Sequence, residues 1–391
     1  MMPPSVSRMK TRLVSCFLIC CLTLAAGFSA FALEQARDGL RDASFYHRLE
    51  NGFVQCVLCP RRCTISKGSR GFCGVRENQG GRLYSLVYGK PCSLHIDPIE
   101  KKPLFHFLPG AEAFSLATVG CNLKCKFCQN WQISQAAVED VAAVSLTPEE
   151  VVQKIKTSGA PVIAYTYTEP TVYYEYMFDI ARLAHAAGIK NVMHSAGFIN
   201  EEPLRQLCPY LDAANIDLKG FNDRFYSEMT LGNLEDVLRT LKTLKSEGVW
   251  LEITHLIIPG INDDPEETRK LCRWIKENLG PGTPLHLSRF WPMYKLVHLS
   301  PTPVSTLEKA RQIAQEEGLQ YVYIGNVGGT EGEDTFCPKC KAKVIDRSGY
   351  VITAIHVAGG RCAFCGNRIE GVWNNNSENR SQSTENRETG K

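Results

Sequence analysis

The chain has 391 residues, 44% of them hydrophobic and 22% charged, so it is long enough for a large core and is neither fibrous nor disordered. Its formal net charge of +3 is spread along the sequence, and no basic stripe of the kind that nucleic acid requires is present. Its 17 cysteines, eight of them in C-x2-C pairs, indicate metal ligation in a reducing compartment or disulfides in an oxidising one.

Residues 1–33 have the pattern of an export signal. Arg8, Lys10 and Arg12 precede an apolar run over 13–33, which closes on the small-x-small cleavage pattern around Phe31. The run is also long enough to cross a bilayer as an uncleaved anchor, since about 20 apolar residues suffice. The segment therefore predicts a signal peptide or a membrane anchor, and a misassigned start is the alternative. Membrane contact is expected only through 13–33, and only if the segment is not cleaved.

Residues 51–110 form a cysteine-rich module in the amino-terminal part of the chain. Four cysteines lie close together, in the order Cys56, Cys59, Cys63 and Cys73. Such a knuckle closes a tetrahedral zinc site or holds an iron-sulfur cluster, and it forms two disulfides if the chain is exported. Two alternating runs, 82–88 and 91–96, predict a hairpin after it. The following segment predicts a solvated turn with Lys101 and Lys102, and then a core histidine, His106.

An apolar run over 114–119 predicts a strand, and a loop with three thiols follows it directly. Cys121, Cys125 and Cys128 stand in the pattern C-x3-C-x2-C after Gly120. Loops at the carboxyl ends of strands are where α/β folds place chemistry. Three thiolates without a local fourth favour a 4Fe-4S cluster whose last iron is open to an external ligand such as S-adenosylmethionine. A zinc knuckle with a distant fourth ligand and plain buried thiols are the alternatives.

This thiol pattern, with Phe127 just before its last cysteine, resembles the radical S-adenosylmethionine (radical SAM) superfamily. The resemblance covers most of the chain and is nearer to pyruvate formate-lyase activating enzymes and to the radical component of the AmmeMemoRadiSam system. It implies a 4Fe-4S cluster on the three thiols, S-adenosylmethionine beside Phe127, and an oxidoreductase chemistry that generates a 5′-deoxyadenosyl radical for hydrogen abstraction. It also implies a flavodoxin- or ferredoxin-like electron donor and a protein glycine as substrate.

Residues 111–327 alternate apolar runs with amphipathic helices, which predicts parallel strands with crossover helices. The helix starts at Thr147-Pro148-Glu149-Glu150 and Asp264-Pro265-Glu266-Glu267 both have the pattern of a capping box. Six or seven units are too few for a closed eight-fold barrel. We therefore predict an α/β fold with a partial, open TIM-like (β/α)6 barrel, as in the radical SAM core, and with small cysteine-rich metal-binding modules at both ends. The predicted strands are 114–119, 161–166, 191–195, 213–218, 250–258, 284–289 and 321–325.

Polar residues at the predicted strand ends are candidates for binding the cofactor. Asp217 and Lys219 point to the same side of an extended chain, so together they can hold a zwitterion. The resemblance implies that Thr168 and Glu169, at the end of the second strand, bind the cofactor's amino group, and that Ser195 hydrogen-bonds the cofactor.

The last predicted strands differ from those of the similar enzymes at the substrate end. Trp291 and Met293 stand where these enzymes tend to have histidine and aspartate, so a more apolar pocket is expected here. His286 and Arg289 are further pocket candidates. No catalytic residue is assigned from the sequence.

Residues 330–372 have the spacing of a zinc ribbon, with two C-x2-C knuckles about two dozen residues apart. Cys337, Cys340, Cys362 and Cys365 are its predicted ligands, for structural zinc or for a single iron. Residues 373–391 are polar and are predicted to be disordered.

We therefore predict a radical SAM enzyme with three metal centres. The central one has an open coordination position, and the two outer ones have complete four-thiolate shells. A non-catalytic iron-sulfur or zinc protein for electron transfer or partner docking is the alternative. A reducible cluster and a cytosolic cofactor favour chemistry in the cytoplasm, which the apparent leader at 1–33 contradicts, so the compartment stays open.

Overall fold

The computed structural model describes residues 40–373. The prediction for the leader at 1–33 lies outside these residues, as does the prediction for the tail at 373–391 apart from Trp373. Within the described part of the chain, no helix combines the length and the apolar character that a membrane span needs.

The amino-terminal module consists of two small antiparallel sheets. Their strand orders are β1-β6-β5 and β2-β3-β4, and a common core with Val54, Val75 and Leu83 supports both. The strands are β1 (Arg41–Asp42), β2 (Tyr46–Arg48), β3 (Val54–Cys56), β4 (Thr64–Ile65), β5 (Arg76–Gln79) and β6 (Arg82–Ser85). Short strands of this kind need close packing against a neighbour, because each sheet alone is too small to be stable.

The main sheet contains eight strands in the order β14-β13-β12-β11-β10-β9-β8-β7. The pairs from β8 to β14 are all parallel, and β7 runs antiparallel to β8 at one edge. This arrangement confirms the predicted α/β fold with an open barrel. The strands are β7 (Ser93–Pro98), β8 (Glu112–Ala117), β9 (Val162–Tyr165), β10 (Lys190–Ser195), β11 (Ala213–Asp217), β12 (Trp250–Ile257), β13 (Leu285–Arg289) and β14 (Val322–Gly325).

The predicted hairpin over 82–96 is wrong. Strand β6 pairs with β5 in the amino-terminal module, whereas β7 pairs with β8 in the main sheet. The physical reason is that β8 is an otherwise open edge of the main sheet, and six residues of β7 can satisfy its backbone groups. The turn between the two runs therefore joins two sheets.

Helices connect the parallel strands and pack their apolar faces on the sheet. The helix Pro148–Ser158 begins with the predicted capping box, in which the Glu150 amide donates to Thr147 Oγ1 at 3.2 Å and Thr147 N donates to Glu150 at 2.7 Å. Asp264 caps the helix Pro265–Leu279 differently, because its carboxylate accepts from the Glu266 amide. The remaining long helices are Tyr174–Ala186, Leu234–Ser246 and Val304–Glu316, with a shorter one at Glu201–Leu207.

The segment between β7 and β8 fills the amino-terminal end of the barrel. The buried carboxylate of Glu252, near the start of β12, accepts from the amides of Phe105 at 3.0 Å and His106 at 2.8 Å. The ring of His286 lies 2.7 Å from the same carboxylate, and Asn215 donates to the Pro103 carbonyl. These contacts close this end with protein atoms, so the carboxyl ends of the strands are the accessible side.

The carboxyl-terminal ribbon packs against that segment. Arg347 is 5% exposed, and its guanidinium donates to the Phe105 carbonyl at 2.9 Å and to Thr335 Oγ1 at 2.7 Å. The ribbon thus stabilises the closed end of the barrel. Its strands are β15 (Thr335–Phe336), β16 (Lys343–Ser348), β17 (Val351–Ile355), β18 (Val357–Ala358) and β19 (Arg361–Cys362).

His106, the predicted core histidine, makes the stability of this end dependent on pH. Burial lowers its pKa from 6.5 to about 4, and Arg347 and His286 act in the same direction, against Glu252. As the pH falls from 6.5 to 4, His106 therefore binds a proton in the unfolded chain but not in the folded chain. We expect this group to remove about 3 kcal/mol of unfolding free energy over that interval.

Urea unfolding between pH 4 and 7 checks this expectation. His106→Asn should unfold at lower urea at neutral pH, and its stability should depend less on pH than that of the wild type. His298→Asn, at an exposed position, should keep the wild-type dependence. An unchanged pH dependence in His106→Asn would contradict the assignment.

Candidate functional site

The three-thiol loop lies at the carboxyl end of β8 and is fixed by backbone hydrogen bonds. Lys124 N donates to the Thr230 carbonyl at 2.9 Å, and Lys126 N donates to the Met229 carbonyl at 3.0 Å. Both acceptors belong to the π-helix Tyr226–Thr230. Short π-helices often mark functional sites, and this one holds the backbone between Cys121 and Cys128.

The sulfur atoms of the loop already have polar neighbours. The Leu123 amide donates to Cys121 Sγ at 3.4 Å, and Cys128 Sγ lies 3.2 Å from Ser134 Oγ. Hydrogen bonds to sulfur stabilise the thiolate form and tune the potential of a bound cluster. Burial raises the pKa of the Cys125 thiol to about 12, with the Lys219 ammonium acting against burial. A metal centre must therefore displace the Cys125 proton as it binds.

Asp217, Lys219 and His194 form a charged group next to the loop. Lys219 Nζ lies 2.8 Å from Asp217 Oδ2, and His194 Nε2 lies 3.2 Å from Oδ1. Burial raises the pKa of Asp217, but the Lys219 ammonium and the contacts with His194 outweigh burial and hold it below its usual value. Burial likewise lowers the pKa of Lys219, whereas Asp217 and Cys125 raise it well above normal. The pair is thus fully charged and lies within electrostatic reach of Cys125.

Sequence reasoning did not select His194. Strands β10 and β11 run parallel with His194 opposite Asn215, two residues before Asp217. The sequence did contain a signal that could have identified His194. It lies close to the end of one strand, and an acid lies at the end of the neighbouring strand.

Phe127 connects the thiol loop to the charged group. Its side chain is 5% exposed and its ring centroid lies 5.7 Å from Lys219 Nζ and 6.0 Å from the ring of Phe225. The structure therefore places the predicted residues Phe127, Asp217 and Lys219 together.

Glu169 joins the ends of two strands. Its carboxylate accepts from Ser195 Oγ at 2.7 Å, from the Ala196 amide at 2.9 Å, and from both the amide and the hydroxyl of Thr171. These four donors match the number of acceptor positions that a carboxylate has. The observed contacts are therefore those of a positioning residue, which fixes Ser195 and the backbone after it. Glu169 also lies within electrostatic reach of Cys121.

Thr168 ties the same region to the start of the thiol loop, since its hydroxyl donates to the Thr118 carbonyl at 2.8 Å. The preceding residue, Tyr167, has a positive φ of 63°, which is uncommon for a bulky side chain. Asn130 Nδ2 donates to the Tyr167 carbonyl at 2.7 Å. The loop after Cys128 and the end of β9 are therefore held together in a strained conformation.

A second polar group surrounds Asp97, on the edge strand β7. Its carboxylate accepts from Lys102 at 2.6 Å, from Ser115 at 2.8 Å, and from the hydroxyl of Tyr167. The prediction that Lys102 lies in a solvated turn is wrong, because its side chain is 1% exposed. Burial lowers the pKa of Lys102 to about 8, against the attraction of Asp97. Because Tyr167 immediately precedes Thr168, this group adjoins the predicted cofactor residues.

The rim of the carboxyl end is aromatic. Trp131 stacks on Tyr294 with ring centroids 5.4 Å apart, and Arg289 lies 4.5 Å from the centre of the exposed ring of Trp291. Arg289 is thus near the rim, and its role in a pocket stays a prediction. His286 is not near the rim, since it is buried against Glu252 at the opposite end of the barrel.

The four cysteines of the ribbon have the geometry of a single-ion site. Cys337 Sγ lies 3.7 Å from Cys365 Sγ, and Cys340 Sγ lies 3.7 Å from Cys362 Sγ. All four sulfur atoms lie within 4.8 Å of one another. A tetrahedral zinc ion with zinc-sulfur bonds of about 2.3 Å requires sulfur atoms about 3.8 Å apart. The thiol geometry therefore fits one tetrahedral ion, whether zinc or iron.

Loss of this ion is expected to destabilise the ribbon. Cys337→Ala should lower the melting temperature and reduce metal content by one ion per chain, because a structural site contributes its binding energy to folding. Thermal unfolding with parallel metal analysis checks both effects. The matched control is Lys339→Ala, which removes an exposed side chain between two ligands and should change neither value. A Cys337→Ala protein with unchanged metal content would exclude this site.

Comparison with known proteins gives a family match over the barrel. The model of the radical SAM superfamily matches residues 115–272, which include the thiol loop and strands β9 to β12. An uncharacterized protein of Methanocaldococcus jannaschii is 49% identical over 335 residues, which is 85% of this chain and 99% of that protein.

Activating enzymes are also similar, at lower identity. The pyruvate formate-lyase 1-activating enzyme of Escherichia coli is 23% identical, over 52% of this chain and 89% of that enzyme. Among solved structures, a radical SAM methyltransferase from Sphaerobacter thermophilus is 18% identical with a TM-score of 0.45, over 56% of this chain and 68% of that one.

Proposed function

Because this chain belongs to the radical SAM superfamily, we propose that it binds a 4Fe-4S cluster through Cys121, Cys125 and Cys128 and cleaves S-adenosylmethionine reductively. The observation that carries the proposal is the charged pair Asp217–Lys219, which faces Cys125 from the end of β11. When bound, the cluster supplies the electron that splits the sulfonium bond into methionine and a 5′-deoxyadenosyl radical. Three thiols on one loop leave one iron of such a cluster open.

Asp217 and Lys219 are proposed to bind the methionine end of the cofactor. The carboxylate of that end needs a partner of opposite charge and its amino group needs a hydrogen-bond acceptor, and this pair offers both in a partly buried place. His194, which also contacts Asp217, keeps the carboxylate oriented. The ring of Phe127, a residue of the thiol loop, lies 5.7 Å from Lys219 Nζ and is proposed to limit where the cofactor can sit.

Glu169 and Ser195 are proposed to form a second edge of the site for the methionine end of the cofactor. Glu169 holds the Ser195 hydroxyl and the Ala196 amide at the end of β10, so its carboxylate acts through these groups as well as by charge. Thr168 fixes the backbone beside them. Together they provide a rigid polar edge for the amino group of the cofactor, as the family resemblance implies.

A glycine residue of a protein is the proposed target of the radical. The similarity to activating enzymes supports a protein substrate, and the aromatic rim around Trp131 and Trp291 offers an apolar surface for a peptide segment. A flavodoxin- or ferredoxin-like protein is the proposed electron donor.

Reconstitution of the purified protein with iron and sulfide under anaerobic conditions, followed by dithionite and S-adenosylmethionine, tests the proposal. We expect 5′-deoxyadenosine and methionine in equal amounts. Absence of both, with a cluster that is intact and reducible, would favour the alternative of a non-catalytic iron-sulfur protein. A candidate peptide deuterated at glycine should transfer deuterium into 5′-deoxyadenosine if a glycine is the target, and unlabelled product would exclude that peptide.

In this proposal the unit at 111–327 carries the reaction, and the other two parts of the chain support it. The ribbon at 330–372 holds a structural ion against the closed end of the barrel, and the module at 51–110 covers the thiol loop. Chemistry of this kind belongs in a reducing compartment, so we place the enzyme in the cytoplasm. Protease protection of intact cells tests this, and degradation of the protein by added protease would contradict it.

A further inference from the structure

We propose that the amino-terminal module holds a second iron-sulfur cluster, bound by Cys56, Cys59, Cys63 and Cys73, directly against the three-thiol loop. This inference goes beyond the proposed function, which needs only the cluster on the loop. Four observations carry it: the spacing of the thiols, the cavity that they line, the arginines in that cavity, and the contacts between this cavity and the loop.

The spacing of these thiols differs from that in the ribbon. Among residues 40–373, the ribbon cysteines are the group of three or more candidate ligands whose atoms all lie within 4.8 Å of one another. No three of the amino-terminal thiols meet that distance, so as placed they do not surround one ion. In a cuboidal cluster each thiolate binds a different iron, and the thiolates therefore lie much further apart than around a single ion.

The four thiols nevertheless face the same space. All of them line one cavity, part of which is open to solvent. They are not joined in disulfides, and the electrostatic influence of Cys56 and Cys73 reaches Cys59. These four thiols around one cavity are too widely spaced to bind a single ion. They fit a cluster of several atoms that is bound by four thiolates.

The cavity also contains positive charge that fits a thiolate-rich cluster. Arg61 and Arg76 both line it. The side chain of Arg76 is 2% exposed, and although its terminal nitrogens pair with Glu175, its Nε has no hydrogen-bond partner within the described residues. A buried donor without a partner costs free energy unless an acceptor is supplied. The sulfur atoms of a cluster in the cavity are suitable acceptors.

The cavity adjoins the loop without intervening residues. Asn122, which follows Cys121 in the loop, lines the cavity. Arg61 Nε donates to the Asn122 carbonyl at 2.6 Å, and the guanidinium lies within electrostatic reach of Cys59 and Cys63 on one side and of Cys121 and Cys125 on the other. A Cβ added at Gly120 would lie 3.0 Å from the Cys73 carbonyl oxygen and 2.5 Å from Val75. The two thiol sets are thus packed against each other.

The test uses a variant in which the cluster on the loop cannot form, so its result is independent of the proposed function. The full chain carrying Cys121→Ala, Cys125→Ala and Cys128→Ala is reconstituted anaerobically with iron and sulfide. We expect about four iron and four sulfide per chain from the second cluster, in addition to the metal of the ribbon, and an electron paramagnetic resonance signal on reduction.

The reciprocal variant carries Cys59→Ser and Cys63→Ser and keeps the loop cysteines. We expect it to lose about half of the iron and sulfide of the wild type, while Cys92→Ser, at a half-buried thiol that does not line the cavity, loses none. Circular dichroism and the metal content of the ribbon show that each variant is folded. A folded triple variant that holds zinc alone, or no iron and sulfide, would overturn the proposal.

Discussion

Cys125→Ala is expected to abolish the formation of 5′-deoxyadenosine while the protein stays folded. Cys125 is the buried central thiol of the loop, and removing it leaves two thiols for a cluster that requires three. The loop itself should persist, because its position depends on backbone bonds from Lys124 and Lys126 to the π-helix. Product formation by anaerobic chromatography, with iron and sulfide analysis, measures the effect.

Cys272→Ala is the matched control for this variant. Cys272 is also buried, but it lies in the helix Pro265–Leu279 and lines none of the thiol sites. We expect it to be less stable than the wild type and to form product at nearly the wild-type rate per intact cluster. Product formation by Cys125→Ala at a comparable rate would contradict the assignment of the loop.

Asp217→Asn is expected to weaken binding of S-adenosylmethionine by about 10- to 100-fold. The substitution keeps the size of the side chain but removes the charge that holds Lys219 and orients His194. A lost charge-assisted hydrogen bond costs about 1.5 to 3 kcal/mol, which corresponds to that range. Calorimetric titration of the oxidised, reconstituted protein measures binding without requiring turnover.

The control for charge removal is Asp42→Asn, because Asp42 pairs with Arg82 on the exposed surface of the amino-terminal module. It should leave the affinity unchanged, since exposed pairs contribute little. Equal affinity in Asp217→Asn and the wild type, with equal cluster content, would remove Asp217 from the proposed site.

The barrel and its thiol loop could be predicted from the sequence because their signals are local. Apolar runs of strand length alternate with amphipathic helices, and each predicted strand overlaps an observed one within a few residues. Cys121, Cys125 and Cys128 are close in sequence, so their proximity follows from the chain itself. Asp217 and Lys219 lie on one side of the same extended segment, which strand geometry alone predicts.

Contacts between distant segments could not be predicted in the same way. Strand β7 pairs across a long connection with β8, and its own residues resemble half of a hairpin. Lys102 is buried because Asp97 and Tyr167 meet it inside the barrel, and neither partner is evident from a polar turn. The partnership of His194 with Asp217 likewise depends on the order of strands in the sheet.

The metal sites also combine features that are local in the sequence with features that depend on the folded chain. Sequence spacing alone left zinc and a cluster equally open for the amino-terminal cysteines. The distances among the sulfur atoms distinguish the ribbon, which fits one ion, from the amino-terminal set, which is wider. Ligand separation is a property of the folded backbone and is not specified by the number of residues between cysteines.

Electron-nuclear double resonance on the reduced protein tests directly whether a cluster on the three-thiol loop binds S-adenosylmethionine. S-adenosylmethionine labelled with ¹⁵N in its amino group is added to the reconstituted protein, with Cys59→Ser and Cys63→Ser present so that one cluster remains. We expect a strong coupling between the label and the cluster, because the open iron of a cluster at the three-thiol loop would bind the methionine end of the cofactor. A reduced cluster with bound cofactor but no such coupling would contradict it.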